Sequence, residues 1–124
     1  MSEQELEKHL HDKRTFEALA TGSVYKIPTY KVVPNVGIEK TQHTILIPFV
    51  RGSKIQNENE MLPVTGVIHE TLLAMILKDL GIKNEEFPNT YTEKAIEYIA
   101  NALALLEDRQ RDRNNRNVQG TYHK

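Results

Sequence analysis

The 124-residue sequence predicts an α+β fold, with an N-terminal helix and a small antiparallel β-region followed by a two-helix hairpin that associates into an oligomer. Three observations predict it. The chain opens with a helix-capping signal, residues 23–50 are rich in β-branched and aromatic side chains, and from Val67 onward the apolar residues recur at steps of three and four.

Each element has its own signal. In "SEQELEKHLHDKRTFEALATG", Ser2 and Glu5 stand at capping-box spacing, Leu6, Leu10, Phe16 and Leu19 give an incomplete apolar stripe, and Gly22 ends the run, so a helix is expected over residues 2–20. "SVYKIPTYKVV" and "HTILIPFV" read as strands, and Pro28 and Pro48 assign them to sheet edges or strand ends. "PNVGIEKTQ" between them is turn-like, and "RGSKIQNENEMLPVTG" is a polar loop of the length that often carries function.

Ile68, Leu72, Leu73, Ile76, Leu77 and Leu80 then predict a helix closed by Gly81. Thr90 and Glu93 form a second capping box just past Pro88, so a further helix is expected from Tyr91 to about Arg116, with Gly120 barring any continuation. That helix spans roughly 40 Å and its predecessor ~22 Å. The longer one overhangs, leaving Ile96, Ile99, Leu103 and Leu106 partly uncovered, and self-association covers them. All of this is expected to form one domain over 1–124, with the helix-plus-β part in 1–65 and the αα-hairpin in 66–124.

Composition narrows the function. A net charge of −1 argues against a general nucleic-acid binder, which is strongly basic as a rule. The absence of cysteine excludes disulfides and thiolate metal sites and suits a reducing cytosol. No apolar run reaches the ~20 residues of a membrane span, and the acidic, polar "MSEQELEKHL" is not a signal peptide. A cytoplasmic protein with no membrane or nucleic-acid partner is expected.

The residues that ask for a function close the chain. Ala95, Ile99, Ala102, Leu106, Arg109, Arg113 and Arg116 follow one another in steps of four and three, so a face that packs in its first half carries guanidinium in its second. Arg111 has Glu107 and Asp108 within one helical turn and reads as a solvated arginine, and Asp112 reaches Arg109 and Arg116. Arg113 has no acidic neighbour at those spacings, so it wants a carboxylate from elsewhere in the fold or a phosphate from outside.

Other motifs lapse on inspection. "HETLL" lacks the second histidine of a zincin helix, His9 and His11 project to different sides of a helix, and "RGSK" is too short for a P-loop. Arg51 and Lys54 read as loop charges. No metal, cofactor or catalytic residue is expected, because no nucleophile, acid–base pair or ligand set converges.

"LLEDRQRDRNNRNVQGTYHK" resembles the C-terminus of a family of small phage anti-defence proteins, commonly written R-x-R-x-x-R-G-V-E-G-T-H, and "HETLLAMILKDLG" and "EEFPNTYTEKAIEYIANALALL" resemble its two helices. This is the hairpin domain shared by the anti-Thoeris and anti-CBASS sponges, and the likeness covers residues 66–124. It implies a β-rich N-terminal part, assembly into homo-oligomers (commonly hexamers), and capture without catalysis of nucleotide second messengers in the bacterial host cytoplasm. These messengers are cyclic ADP-ribose isomers or cyclic di- and trinucleotides. It further implies that Arg109 and Arg113 grip phosphates while Phe87 stacks on a base, with Asn89 or Thr92 standing near an asparagine the family uses for hydrogen bonding. The residues themselves add Tyr91 as a second stacking face, Gly120 and Thr121 as backbone and hydroxyl donors, and Arg116 as the next guanidinium on the seam, all as ligand-binding positions. Asn117 and Gln119 depart from the family's glycine and glutamate, which bears on ligand identity more than on fold. The alternatives are an enzyme degrading such a messenger, or an oligomeric adaptor or weak nucleic-acid binder.

Overall fold

Two long paired strands and two long paired helices make up most of the computed structural model, which describes residues 2–19, 22–51 and 65–120, the final four by backbone alone. It is α+β, and the chain divides into two compact units, Met1–Val67 and Ile68–Lys124.

The first unit opens with α1, Glu3–Asp12. Its capping box forms as expected: the Glu5 N–H donates to Ser2 Oγ at 3.0 Å, and the Ser2 N–H donates to Glu5 Oε1 at 2.7 Å. The helix does not reach residue 20. Lys13 caps it and Thr15 Oγ1 donates to the Asp12 carbonyl at 2.8 Å, after which Glu17–Ala18 become strand β1. Phe16, expected on the helical stripe, instead sets its ring edge-on against Tyr25 at 5.5 Å.

Strand β2, Val24–Val33, lies between β1 and β3, Gly37–Pro48, in an antiparallel sheet. Pro28 therefore sits in the middle strand. It is tolerated because β1 covers only Tyr25 and Lys26, leaving that edge of β2 locally unpaired. The register shifts between Pro28 and Tyr30, where Thr29 Oγ1 donates to the His43 carbonyl at 2.9 Å. Beyond the shift Lys31 opposes Glu39 and Val32 opposes Ile38, cross-strand pairs that hold "GIEKTQ" in the sheet. Of the stretch read as a turn, only residues 34–36 turn, with Asn35 in the left-handed region at φ 67°.

At its far end the sheet gains a parallel bridge between Phe49 and Val67, with the Val67 N–H donating to the Pro48 carbonyl at 2.8 Å. A Cβ at Gly66 would lie 2.3 Å from that carbonyl oxygen, so only glycine admits the approach. The loop residues expected to carry function, 52–64 with Lys54, lie outside the described residues.

The second unit is a helical hairpin. Helix α2, His69–Glu86, runs straight through Gly81, the expected stop, because one glycine costs a helix only about 1 kcal/mol. It ends at Phe87, where Pro88 disfavours helical backbone in the residue before it. Helix α3, Thr90–Gly120, is capped by Asn89 rather than Thr90: Asn89 Oδ1 accepts from the Tyr91 N–H at 2.8 Å and the Thr92 N–H at 3.3 Å. Glu93 accepts instead from Asn84 Nδ2 at 3.4 Å, and Asn84 Oδ1 accepts the Asn89 N–H at 2.9 Å, which ties the corner to α2.

The two helices meet through half-buried Leu72, Leu73, Leu77 and Leu80 on α2, and Ala95, Ile96, Ile99, Leu103 and Leu106 on α3. With 31 residues against 18, α3 is about 46 Å long and α2 about 27 Å, so the overhang is real. Among the described residues no hydrophobic side chain is fully buried. The leucines are sheltered on one side only.

Candidate functional site

Helix α3 presents two distinct stripes, because a residue faces the same way as those three, four and seven places along. The first packs on α2 and passes through Ile96, Ile99, Leu103 and Leu106. The second is uncovered and passes through Tyr91, Tyr98, Ala102 and Leu105, of which Tyr98 and Leu105 are 64% and 68% exposed.

The single seam read from the sequence splits between these stripes. Ile99 and Leu106 belong to the packed one, whereas Ala102, Arg109, Arg113 and Arg116 are exposed and extend the uncovered one. The packed stripe continues instead into Gln110 and Asn114. These line an open cleft of about 610 Å³ with Glu107 and Arg111, opposite Ile68 and Glu70 at the start of α2. Arg111, read from the sequence as a solvated arginine, lines this cleft, and its guanidinium is bonded to Asp108. Two acidic and one basic side chain leave the cleft without a preference for anions.

The four arginines are not equivalent. Arg111 pairs with Asp108, and Arg116 pairs with Asp112 at 3.3 Å. Arg109 and Arg113 have no ion pair or side-chain hydrogen bond among the described residues. Both forks are exposed and open, one helical turn apart. The reach of Asp112 expected for Arg109 goes to Arg116 alone.

Phe87, Asn89, Tyr91 and Thr92 gather at the opposite end of the hairpin. Phe87 and Tyr91 are 73% and 86% exposed, free to stack on a planar partner. Asn89 has its side-chain oxygen committed to the α3 cap, so only its amide N–H groups remain to offer. Thr92 is half-buried against α2. Gly120 closes α3, and Thr121 lies outside the described residues.

Within one chain, then, the candidates form two groups. Tyr91 and Arg109 are eighteen residues apart on one helix, about 27 Å, and Arg113 is farther still. No mononucleotide or cyclic dinucleotide bridges that gap. Tyr98 and Leu105, which connect the groups along the uncovered stripe, escape sequence reading because Ile99, Leu103 and Leu106 beside them dominate the apolar pattern; the seven-residue spacing Tyr91, Tyr98, Leu105 is the signal that finds them.

Compared with protein-family models, curated proteins and solved structures, the chain matches none.

Proposed function

We propose that the protein is a non-catalytic sponge that sequesters nucleotide second messengers of bacterial immunity, cyclic ADP-ribose isomers or cyclic di- and trinucleotides, at sites shared between copies of the chain. The reading follows the likeness of residues 66–124 to the phage anti-defence hairpin family. The single observation that carries it further is the pair of guanidiniums on Arg109 and Arg113, unpartnered among the described residues. Two open forks one turn apart suit a pyrophosphate or a cyclic phosphodiester, which supplies several acceptor oxygens at comparable spacing.

A second copy completes such a site. Ala102 lies eleven residues from Tyr91 and eleven from Arg113 on the uncovered stripe. A two-fold axis beside Ala102 would run two α3 helices antiparallel and set Tyr91 and Phe87 of one copy against the partner's Arg113. Tyr98 and Leu105 would then be covered, and base stacking would join phosphate gripping in one place. A hexamer would arrange three such pairs, and the bacterial cytoplasm is where the messengers occur.

Recovery of the bound molecule tests the reading. Incubated with a panel of cyclic nucleotides and cyclic ADP-ribose isomers and then heat-denatured, the protein should release one of them intact. A released breakdown product would make it an enzyme, and no captured nucleotide at all would overturn the proposal.

A further inference from the structure

Helix α1 is ten residues long and, among the described residues, packs against no strand of its own unit. Isolated helices shorter than about 12–15 residues are marginal in water. Its apolar side chains, Leu6 and Leu10, are one turn apart and exposed at 42% and 46%. Glu3 and Glu7, also one turn apart, flank that stripe. Its remaining charges are partly matched: Glu5 closes the capping box, and Lys8 pairs with Asp12 at 3.0 Å. Glu3 and Glu7 have no ion pair or side-chain hydrogen bond among the described residues.

The same signature with opposite sign occurs on α3. Arg109 and Arg113 are unpartnered among the described residues, one turn apart, and follow directly on exposed Leu105. Both pairs of charges are spaced about 6 Å along their helices.

We infer that α1 is an arm that docks on the overhanging end of α3 in a second copy of this chain. Laid antiparallel, it sets Glu3 against the partner's Arg113, Glu7 against the partner's Arg109 and Leu10 against the partner's Leu105. A second copy is the occupant because the uncovered Tyr98 and Leu105 already call for one, and a two-fold pair exchanges arms reciprocally, so neither arm nor arginine segment is left over. Exposed ion pairs contribute little singly, so the two leucines supply attraction while the charges fix register and direction. The contact needs no nucleotide and stands separately from nucleotide capture, and the arm and the partner's α3 are alternative occupants of Leu105 and the two guanidiniums.

The test uses the full chain without nucleotide. The chain has no cysteine, so Gln4→Cys, on the side of α1 away from the leucines, carries one fluorophore whose anisotropy reports whether the arm is anchored. Anchoring should rise with protein concentration and weaken with salt. Glu3→Lys/Glu7→Lys and, separately, Arg109→Glu/Arg113→Glu should each weaken it at least about fivefold by replacing attraction with repulsion. Mixing the two variants should restore it, because a mixed pair sets Lys arms on Glu helices and Glu arms on Arg helices. An arm that pairs within its own chain gains nothing from mixing. A concentration-independent label, unaffected variants, or a mixture that fails to recover would each overturn the inference.

Discussion

Tyr91 and Arg113 stand on the same uncovered side of α3 but twenty-two residues apart, about 33 Å along the axis. One chain therefore carries an exposed aromatic ring at one end and open guanidinium forks at the other, the two parts that the proposed function assigns to stacking and to phosphate. Neither is a binding site alone. The proposed site is a property of the pair, and its parts can be removed independently.

Arg113→Ala should abolish nucleotide capture while leaving the helicity of the hairpin nearly unchanged, because its side chain is exposed and has no ion pair within the chain among the described residues. Loss of one charged partner from a phosphate should cost roughly 2–5 kcal/mol, more than tenfold in affinity. Arg111→Ala should change capture little, since that guanidinium is already bonded to Asp108. Calorimetry on both variants decides the matter. Equal losses would mean diffuse attraction by the basic tail.

Leu105→Glu should lower the mass of the assembly in light scattering while the hairpin keeps its helicity, because Leu105 is 68% exposed and makes no part of the α2 interface. Leu103→Glu should unfold the hairpin instead, by forcing a carboxylate between α2 and α3. An unchanged mass in the Leu105 variant would remove the uncovered stripe as a contact.

Asn89→Ala should destabilise the second unit by about 1 kcal/mol, the usual worth of an N-cap. It removes the acceptor of two backbone N–H groups at the start of α3. Thr90→Ala, at the position the sequence nominates as the cap, should be close to neutral. Thermal melts of the two variants discriminate the caps directly.

Acid should loosen α1. The backbone hydrogen bond from Ser2, aided by the Ser2 hydroxyl, holds the Glu5 carboxyl below the ordinary glutamate range, and the Lys8 ammonium bond does the same for Asp12. Such groups favour the helix when ionised, so their contribution is in place above the ordinary carboxylate values of about 4 and disappears as pH falls through the lowered ones. Glu5→Gln should flatten this response in a circular-dichroism titration; an unaltered profile would place the acid sensitivity elsewhere.

Much of the fold is legible in the residues themselves. The α+β class, the first capping box, the strands flanking the Asn35 turn and the overhang of α3 all follow from local pattern. What escapes local pattern depends on a partner distant in sequence. Phe16 leaves its helix because Tyr25 lies across the sheet, and Pro28 enters a middle strand because β1 is too short to need its missing N–H. Asn89 displaces Thr90 because Asn84 fixes the corner from the preceding helix. The site divides in the same way. The open forks of Arg109 and Arg113 can be suspected from their neighbours, but the seam must be split in two before Tyr98 and Leu105 come into view, and that needs the position of α2.

With no fully buried hydrophobic side chain among the described residues, the proposed association would make dilution a denaturant. If association supplies the missing interior, every mole of chain brings some of its own stabiliser, and the melting temperature climbs with the logarithm of protein concentration. A chain of this kind would be least secure just after its synthesis begins, and would firm up as copies accumulate.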